Sequence, residues 1–105
     1  MTVVVVVATI RPLPEHRDEV LAAFRDTIPA VHREPGCILY ALHEKSDRLV
    51  MIEQWESSEA LATHADAEAL QALNPRLEGK LAEKTDVQVL NPLPVGADEL
   101  GRLRP

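Results

Sequence analysis

The chain has 105 residues, of which 46% are hydrophobic and 3% aromatic, and its formal net charge is −6. This length fits one domain with a core of Val, Leu, Ile and Ala. An acidic chain without a basic cluster argues against nucleic acid and anionic membrane surfaces as partners. The apolar run 3–7 is too short to cross a bilayer and has no secretory-signal pattern. The single cysteine, Cys37, fits a reducing cytoplasm, where we expect the protein.

The first half of the chain predicts a strand followed by a helix. Residues 2–11 are mostly β-branched and apolar on both faces, which predicts a strand that is covered on both sides. Residues 15–33 are predicted to be helical, since apolar residues recur there at helical spacing. This set is Val20, Leu21, Phe24, Ile28 and Val31. Pro29 falls inside the pattern and is expected to kink or end the helix near Ile28.

A hairpin is predicted next, after a turn at residues 34–36. Its strands are residues 37–44 and 48–56, joined by a polar loop at 45–47. Alternation gives the first strand two faces, one with Cys37, Leu39, Ala41 and His43 and the other with Ile38, Tyr40, Leu42 and Glu44. In the second strand, one face holds Leu49, Met51, Glu53 and Trp55.

The second half predicts a split helical segment, a last strand and a tail. A short helix is expected over 57–65, and Asp66 is expected to cap another helix with a leucine stripe that reaches Leu81. Pro75 is expected to interrupt this helix. Residues 85–90 predict a strand, and residues 93–105 read as a tail.

The resulting order is βαββαβ, which predicts a ferredoxin-like antiparallel sheet with helices on one face, an α+β fold over residues 1–92. The other apolar face of the sheet needs a cover that the chain does not supply. We therefore predict a homodimer in which two sheets pack face to face.

An ordered set of residues carries a resemblance to a known family. The set is Glu34-Pro35-Gly36-Cys37, Tyr40, Glu53-x-Trp55, Ala60-Leu61 and His64. It resembles the antibiotic biosynthesis monooxygenase domain, most densely over residues 34–64 and more loosely over about 3–92. The resemblance implies a dimeric α+β barrel.

The sequence has no metal, phosphate-loop or dinucleotide motif, so no cofactor is expected. His64 shares a helix face with Ala60 and Leu61, which points it toward the sheet. It is either a base at the edge of a pocket or a histidine that holds the helix to a buried carboxylate. Glu53 lies in mid-strand, where a carboxylate needs a partner or a raised pKa, and His64 is the candidate partner.

Four further residues are candidates for contact with a substrate. Trp55 offers a flat wall and an N–H donor, or is simply core. Tyr40 is either a phenol that contacts a ligand or a core residue. His43, near a strand end, is either a substrate contact or a solvated edge residue, and Met51 flanks Glu53 on the same strand face.

The resemblance also implies a reaction. Similar proteins include cofactor-free oxygenases of quinols or anthrones, whose deprotonated substrates react with molecular oxygen directly. Such a site needs a base, donors for the developing oxyanion and a dry pocket. We predict His64 and Glu53 as the catalytic pair, and the low aromatic content favours a small quinol or polyphenol over a large polycyclic substrate.

Other branches of the resemblance imply other functions. Haem-degrading relatives use an Asn, a Trp and a His at positions that correspond best to Ile10, His64 and Asn74, so haem degradation is not expected. An isomerase of a small phosphorylated compound or a dimeric binding module stays open. A phosphate ligand would require clustered cations, and those available are Arg11, Arg48, Arg102 and Arg104.

Overall fold

A computed structural model describes residues 2–103, so that Met1, Arg104 and Pro105 lie outside the described residues. The strands are β1 (Val4–Ile10), β2 (Cys37–Lys45), β3 (Arg48–Trp55) and β4 (Asp86–Leu90). The helices are α1 (Arg17–His32), α2 (Ser58–Ala65) and α3 (Glu68–Leu77), and a 3-10 turn at Pro14–His16 precedes α1. The strands form one antiparallel sheet in the order β2-β3-β1-β4. The predicted ferredoxin-like α+β fold, with its second helical segment split, is confirmed.

The central strand β1 divides its side chains between two environments. One face is buried, and it carries Val4, Val6, Ala8 and Ile10. These side chains belong to a core that includes Val20 and Phe24 of α1 and Leu73 of α3. We call this helix-covered side the inner face of the sheet.

The opposite side, here called the outer face, is also largely apolar. Val5 and Val7 of β1 lie there, and Val7 is paired with Ile52 of β3. All three are half-buried. The prediction that both faces are apolar is confirmed, and the partner that would cover the outer face stays a prediction.

Neither proline ends its helix, which differs from the prediction. Pro29 does not end α1 near Ile28, because the helix continues to His32 and buries Val31 completely. Pro75 lies inside α3, which continues to Leu77. Both prolines are exposed, so water can bond the backbone carbonyl that each leaves free, and helix–core packing outweighs the missing hydrogen bond.

The start and end of α3 also differ from the prediction. Ala67, and not Asp66, is the N-cap of α3, and no side chain caps this end. Leu81 lies beyond the helix, where it forms an isolated bridge with Pro12. The leucine stripe therefore extends beyond the end of the helix that it predicted.

A bulge in β2 changes one predicted face. Cys37 is opposite Trp55, whereas Leu39 is opposite the adjacent Gln54, so the register shifts by one residue between them. Cys37 consequently packs against the inner core and does not share a face with Leu39. From Tyr40 onward the predicted alternation holds, since Tyr40 is opposite Glu53 on the inner face.

The last part of the described chain is the most open. Every residue of the edge strand β4 is exposed, including Val87, Val89 and Leu90. Residues 93–103 form no helix or strand. None of the helices within residues 2–103 has the length and apolar character needed to cross a membrane.

Candidate functional site

A cavity of about 290 Å³ lies between the inner face of the sheet and the three helices. Its wall is mainly aliphatic, with Phe24 of α1, Met51 of β3 and Leu73 of α3 among the lining side chains. Five polar side chains also line it: Tyr40, Glu53, His64, Asn74 and Thr85. This volume is near the lower end of the usual range for ligand pockets, so the cavity suits a small, mostly apolar molecule.

His64 reaches this cavity from the last turn of α2. The helix begins at a side-chain cap, since the Ser57 hydroxyl accepts a hydrogen bond of 3.1 Å from the Ala60 N–H. His64 is only 5% exposed. Its Nδ1 lies 2.7 Å from Oε1 of Glu34, and its Nε2 lies 4.0 Å from Oε1 of Glu53. Because a carboxylate can only accept, Nδ1–H donates to Glu34 and Nε2 is left facing Glu53 at a distance too long for a hydrogen bond.

The turn before β2 holds Glu34 in this position. Gly36 has φ of +82°, which favours glycine, and a Cβ at this position would lie 2.5 Å from Cβ of Ala60. The Gly36 carbonyl also accepts a 2.9 Å hydrogen bond from the Glu56 N–H. The turn is thus packed directly against α2, and this close approach brings the Glu34 carboxylate to His64.

Glu53 lies at the centre of the inner face, opposite Val6 on one side and Tyr40 on the other. It is 5% exposed, and its Oε1 accepts a 2.9 Å hydrogen bond from Nε1–H of Trp55. Burial raises the pKa of Glu53, while the Trp55 hydrogen bond and the His64 charge oppose that rise. The carboxylate of Glu34 adds a smaller upward push to the pKa. Glu53 is therefore protonated more readily than an ordinary carboxyl, as is common for carboxyl groups in acid–base sites.

Two aromatic rings lie against the acid–base groups. The Trp55 ring lies 4.5 Å from the His64 ring, and the Tyr40 ring lies 5.4 Å from it, measured between centroids. Burial, followed by the charges of Glu53 and Glu34, raises the pKa of Tyr40 well above its usual value. Its phenol thus stays protonated and can donate a hydrogen bond into the cavity that it lines.

The structure brings most of the candidate residues of the sequence together. His64, Glu53, Tyr40 and Met51 line the cavity. Trp55 is fully buried behind them, where it contacts Glu53 and stacks on His64. Trp55 thus supports the acid–base groups from behind and forms no part of the cavity wall.

His43 lies elsewhere. It is exposed near the end of β2, opposite Val50 on the outer face, and its Nδ1 lies 3.1 Å from the Ala41 carbonyl oxygen. The inner face carries the cavity, so this histidine points away from the other candidates. We leave it out of the site that is proposed below.

Glu34 was not among the predicted site residues, because its position before Pro35-Gly36 predicted only a turn. The Glu34 side chain is 14% exposed and holds His64 from thirty positions earlier in the chain. Its Oε2 is buried and has no hydrogen-bond partner within residues 2–103. Its position in the sequence offered one signal. Glu34 is an acid directly before Pro-Gly, and the strand that follows pairs with the strand of Glu53.

The arginines that a phosphate ligand would need are engaged in other contacts. Arg11 pairs with Asp47 at 3.3 Å and with Glu83 at 2.8 Å, and Arg48 pairs with Asp47 at 3.2 Å. Arg102 pairs with Asp98 at 3.2 Å, and none of these three arginines lines the cavity. Arg104 lies outside the described residues. In the part of the chain that the structure describes, no three His, Cys, Asp or Glu side chains are grouped as metal ligands.

Comparison with known proteins places this site in a family context. The family model for antibiotic biosynthesis monooxygenases matches residues 3–76. The Escherichia coli (strain K12) protein named "Probable quinol monooxygenase YgiN" is 32% identical over 103 residues, which cover 88% of this chain and 97% of that protein.

Solved structures agree with this placement. Rv0793 from Mycobacterium tuberculosis superposes with a TM-score of 0.85 at 28% identity, covering 91% of this chain and all of that one. PA3566 from Pseudomonas aeruginosa has a TM-score of 0.81 at 27% identity, covering 89% of this chain and 96% of that one. The fold, the family match and the identity to a curated relative together show that this chain belongs to the antibiotic biosynthesis monooxygenase family.

Proposed function

We propose that the protein is a cofactor-independent monooxygenase that uses molecular oxygen to oxidise a small quinol or polyphenol. The observation that carries this proposal is the apolar cavity whose inner wall presents His64 and Glu53 side by side. A quinol supplies its own electrons once it is deprotonated, so the protein needs only a base, a donor and a dry site. The family and the name of the Escherichia coli relative support the same reaction class.

In this proposal His64 is the base. Its Nδ1–H is held by Glu34 at 2.7 Å, so Nε2 is the nitrogen that is free to take a proton from a quinol hydroxyl. The Glu34 carboxylate then stabilises the imidazolium that forms, in the way that a buried acid orients the histidine of a catalytic triad. Glu34 is thus a positioning residue, which acts on the substrate only through His64.

Tyr40 and Glu53 serve the charge that develops on the substrate. The Tyr40 phenol stays protonated and donates to the phenolate oxygen. Glu53, whose pKa is raised by burial, donates a second hydrogen bond when protonated and stabilises the His64 imidazolium when ionised. Both side chains are on the wall that His64 shares.

The proposed reaction balances without an added reductant. The phenolate gives one electron to O₂, and the resulting superoxide recombines with the ring radical to form a C–O bond and a peroxide. His64 returns its proton to the peroxide and then removes the proton from the same ring carbon. The O–O bond breaks, a carbonyl forms, and the leaving hydroxide takes that proton and becomes water. The quinol loses four electrons, O₂ accepts four, and the products are a hydroxyquinone and water.

Oxygen consumption against a panel of mono- and bicyclic quinols tests this proposal. The wild type, His64→Ala and Glu53→Gln are compared at equal folded concentration, with a chelator present and no flavin or haem added. General acid–base groups contribute about 10²–10⁴-fold in rate, so we expect losses of that order for His64→Ala and a smaller loss for Glu53→Gln. If the wild type consumes no oxygen above the buffer rate, the oxygenase proposal fails and a binding module or isomerase becomes the better hypothesis.

We also propose that the protein is a homodimer that pairs the outer faces of two sheets. The outer face is largely apolar, and the half-buried Val5, Val7 and Ile52 lie on it. A second copy packed on this face would remove those side chains from water. Sedimentation at micromolar concentration should give the mass of a dimer, and a monomeric mass would contradict the pairing.

A further inference from the structure

A second concave surface lies directly outside the cavity. It is a groove of about 940 Å³ between α3 and the segment 78–87. Four residues line both the groove and the cavity: Asn74, Leu77, Thr85 and Val87. The two spaces therefore meet at a mouth that these four side chains form, and a molecule that fills the cavity can extend into the groove.

The lining of the groove indicates what such an extension would be. Pro75, Leu77, Leu81 and Val87 supply its apolar surface. Its charged residues are Glu78, Glu83 and Lys84, and the Glu83 carboxylate pairs with Arg11 at 2.8 Å, so the groove carries little net charge. Val87 is 56% exposed although it lies on the inner face, opposite Ala8. An uncharged aliphatic chain fits this surface, because the remaining charges of Glu78 and Lys84 offset each other.

No segment of the described chain fills the groove. The tail that follows β4 is apolar enough to do so, but its Leu93, Val95 and Leu100 are each at least 73% exposed. The acid–base groups lie away from the mouth, because Glu53 is on β3 and β1 separates that strand from β4. A ring held against those groups would direct a substituent toward the mouth and the groove.

We propose that the preferred substrate is a quinol that carries a neutral aliphatic side chain, with the ring in the cavity and the chain in the groove. This inference rests on the proposed quinol chemistry of the same site. Val87, at the mouth, is then a specificity-determining residue. Asn74 and Thr85 lie beside it, where they can bond a ring oxygen that is distant from His64.

The test measures binding and does not depend on turnover. The ligands are oxidised 1,4-benzoquinones with unbranched alkyl chains of increasing length, and the same series ending in a carboxylate. Trp55 is the only tryptophan and its ring centroid lies 4.5 Å from that of His64, so quenching of its fluorescence reports a quinone in the cavity. Full burial of a methylene corresponds to roughly a fourfold change in Kd, so we expect about a twofold decrease per methylene in a groove that is open on one side.

Two matched variants test whether the dependence of Kd on chain length arises at the mouth. Val87→Asp puts a charge at the mouth, and Val89→Asp puts the same charge two residues along the same strand face, at 57% exposure and outside both linings. We expect Val87→Asp to abolish the dependence of Kd on chain length and Val89→Asp to retain it. Val87→Thr keeps the branched shape and should reduce the dependence of Kd on chain length. It replaces Val87→Asp in the test if the aspartate destabilises the fold.

The outcomes separate the groove from the reaction. A Kd that is independent of chain length in the wild type, or an equal dependence in Val87→Asp and Val89→Asp, overturns the groove and leaves quinol oxidation standing. Equal affinity for the carboxylate series overturns the neutral character of the chain. Tight, chain-dependent binding without oxygen consumption supports the groove and contradicts the oxygenase. If no quinone quenches Trp55, the groove proposal fails, and oxygen consumption decides the oxygenase separately.

Discussion

The two ends of the sheet's inner face differ sharply. At the β2–β3 end, His64 and Glu53 are each 5% exposed, Trp55 is fully buried, and every acid–base group contacts another side chain. At the β4 end, Val87 and Val89 are more than half exposed on the same face. Both ends border one cavity or its mouth, so a single apolar space runs from a closed polar end to an open apolar one.

The two ends have different expected roles: the closed end performs the proton transfer, and the open end selects the substrate. A closed end excludes water, which strengthens hydrogen bonds and makes a proton transfer between fixed groups effective. An open apolar end offers area for binding, but it cannot hold a charge in place. We therefore expect substitutions at the closed end to change stability and turnover, and substitutions at the open end to change which substrate is bound.

The largest effect is expected for His64→Ala at the closed end. The Glu34 carboxylate, whose side chain is 14% exposed, loses its partner. Leaving a buried charge uncompensated costs about 3–5 kcal/mol in the free energy of unfolding. Urea denaturation measures this cost. Thr63→Ala, an exposed change on the same helix, should lie within about 0.5 kcal/mol of the wild type. Equal midpoints for His64→Ala and the wild type would show that the Glu34–His64 contact is not formed in solution.

A smaller effect is expected for Glu34→Gln. The amide preserves the shape of the side chain and removes the charge that stabilises a protonated His64. We expect kcat to fall about tenfold, roughly 1.4 kcal/mol of transition-state stabilisation, while KM stays unchanged because Glu34 does not line the cavity. Steady-state kinetics of quinol oxidation measure both constants. Glu59→Gln, an exposed acid on α2, is the control, and a rise in KM alone would contradict the positioning role.

The smallest effect on stability is expected at Glu53, where it appears as a pH dependence of the unfolding free energy. The folded pKa of Glu53 is raised, chiefly by burial. The folded state therefore binds more protons than the unfolded state between the ordinary pKa, about 4.3, and the raised value. Stability must fall as pH increases through that window and stay lower above it.

Glu53→Gln removes this ionisable group, so the unfolding free energy of the variant should not fall through that pH window. Above the window, the variant should be more stable relative to the wild type than it is below it. Denaturation at a series of pH values checks the difference between the two curves. Glu56→Gln, an exposed acid directly after β3, serves as the control. A variant whose stability parallels the wild type at every pH would mean that Glu53 is not desolvated in the folded state.

Much of the fold follows from local pattern in the sequence. The apolar residues of β1 and the alternation in the hairpin were sufficient to predict a sheet with two apolar faces. Pro29 and Pro75 do not end their helices because each removes only one hydrogen bond on an exposed helix side, while Val31 and Leu77 still pack against the core beyond them.

The site was only partly predictable for a different reason. His64 and Glu53 were found because a polar residue on an apolar face is visible in the sequence. Glu34 was missed because its contact with His64 depends on the packing of the Gly36 turn against Ala60, which no local pattern reports. His43 was included because alternation does not say which face of a sheet carries the cavity.

Isotope labelling tests the proposed reaction most directly. The wild-type protein is supplied with a quinol and ¹⁸O₂, without added flavin, haem or metal, and the product and the consumed oxygen are quantified. We expect one O₂ consumed for each quinol and one labelled atom in the hydroxyquinone, with the other oxygen released as water. Release of hydrogen peroxide with an unlabelled quinone, at a rate that His64→Ala matches, would contradict monooxygenation by this site.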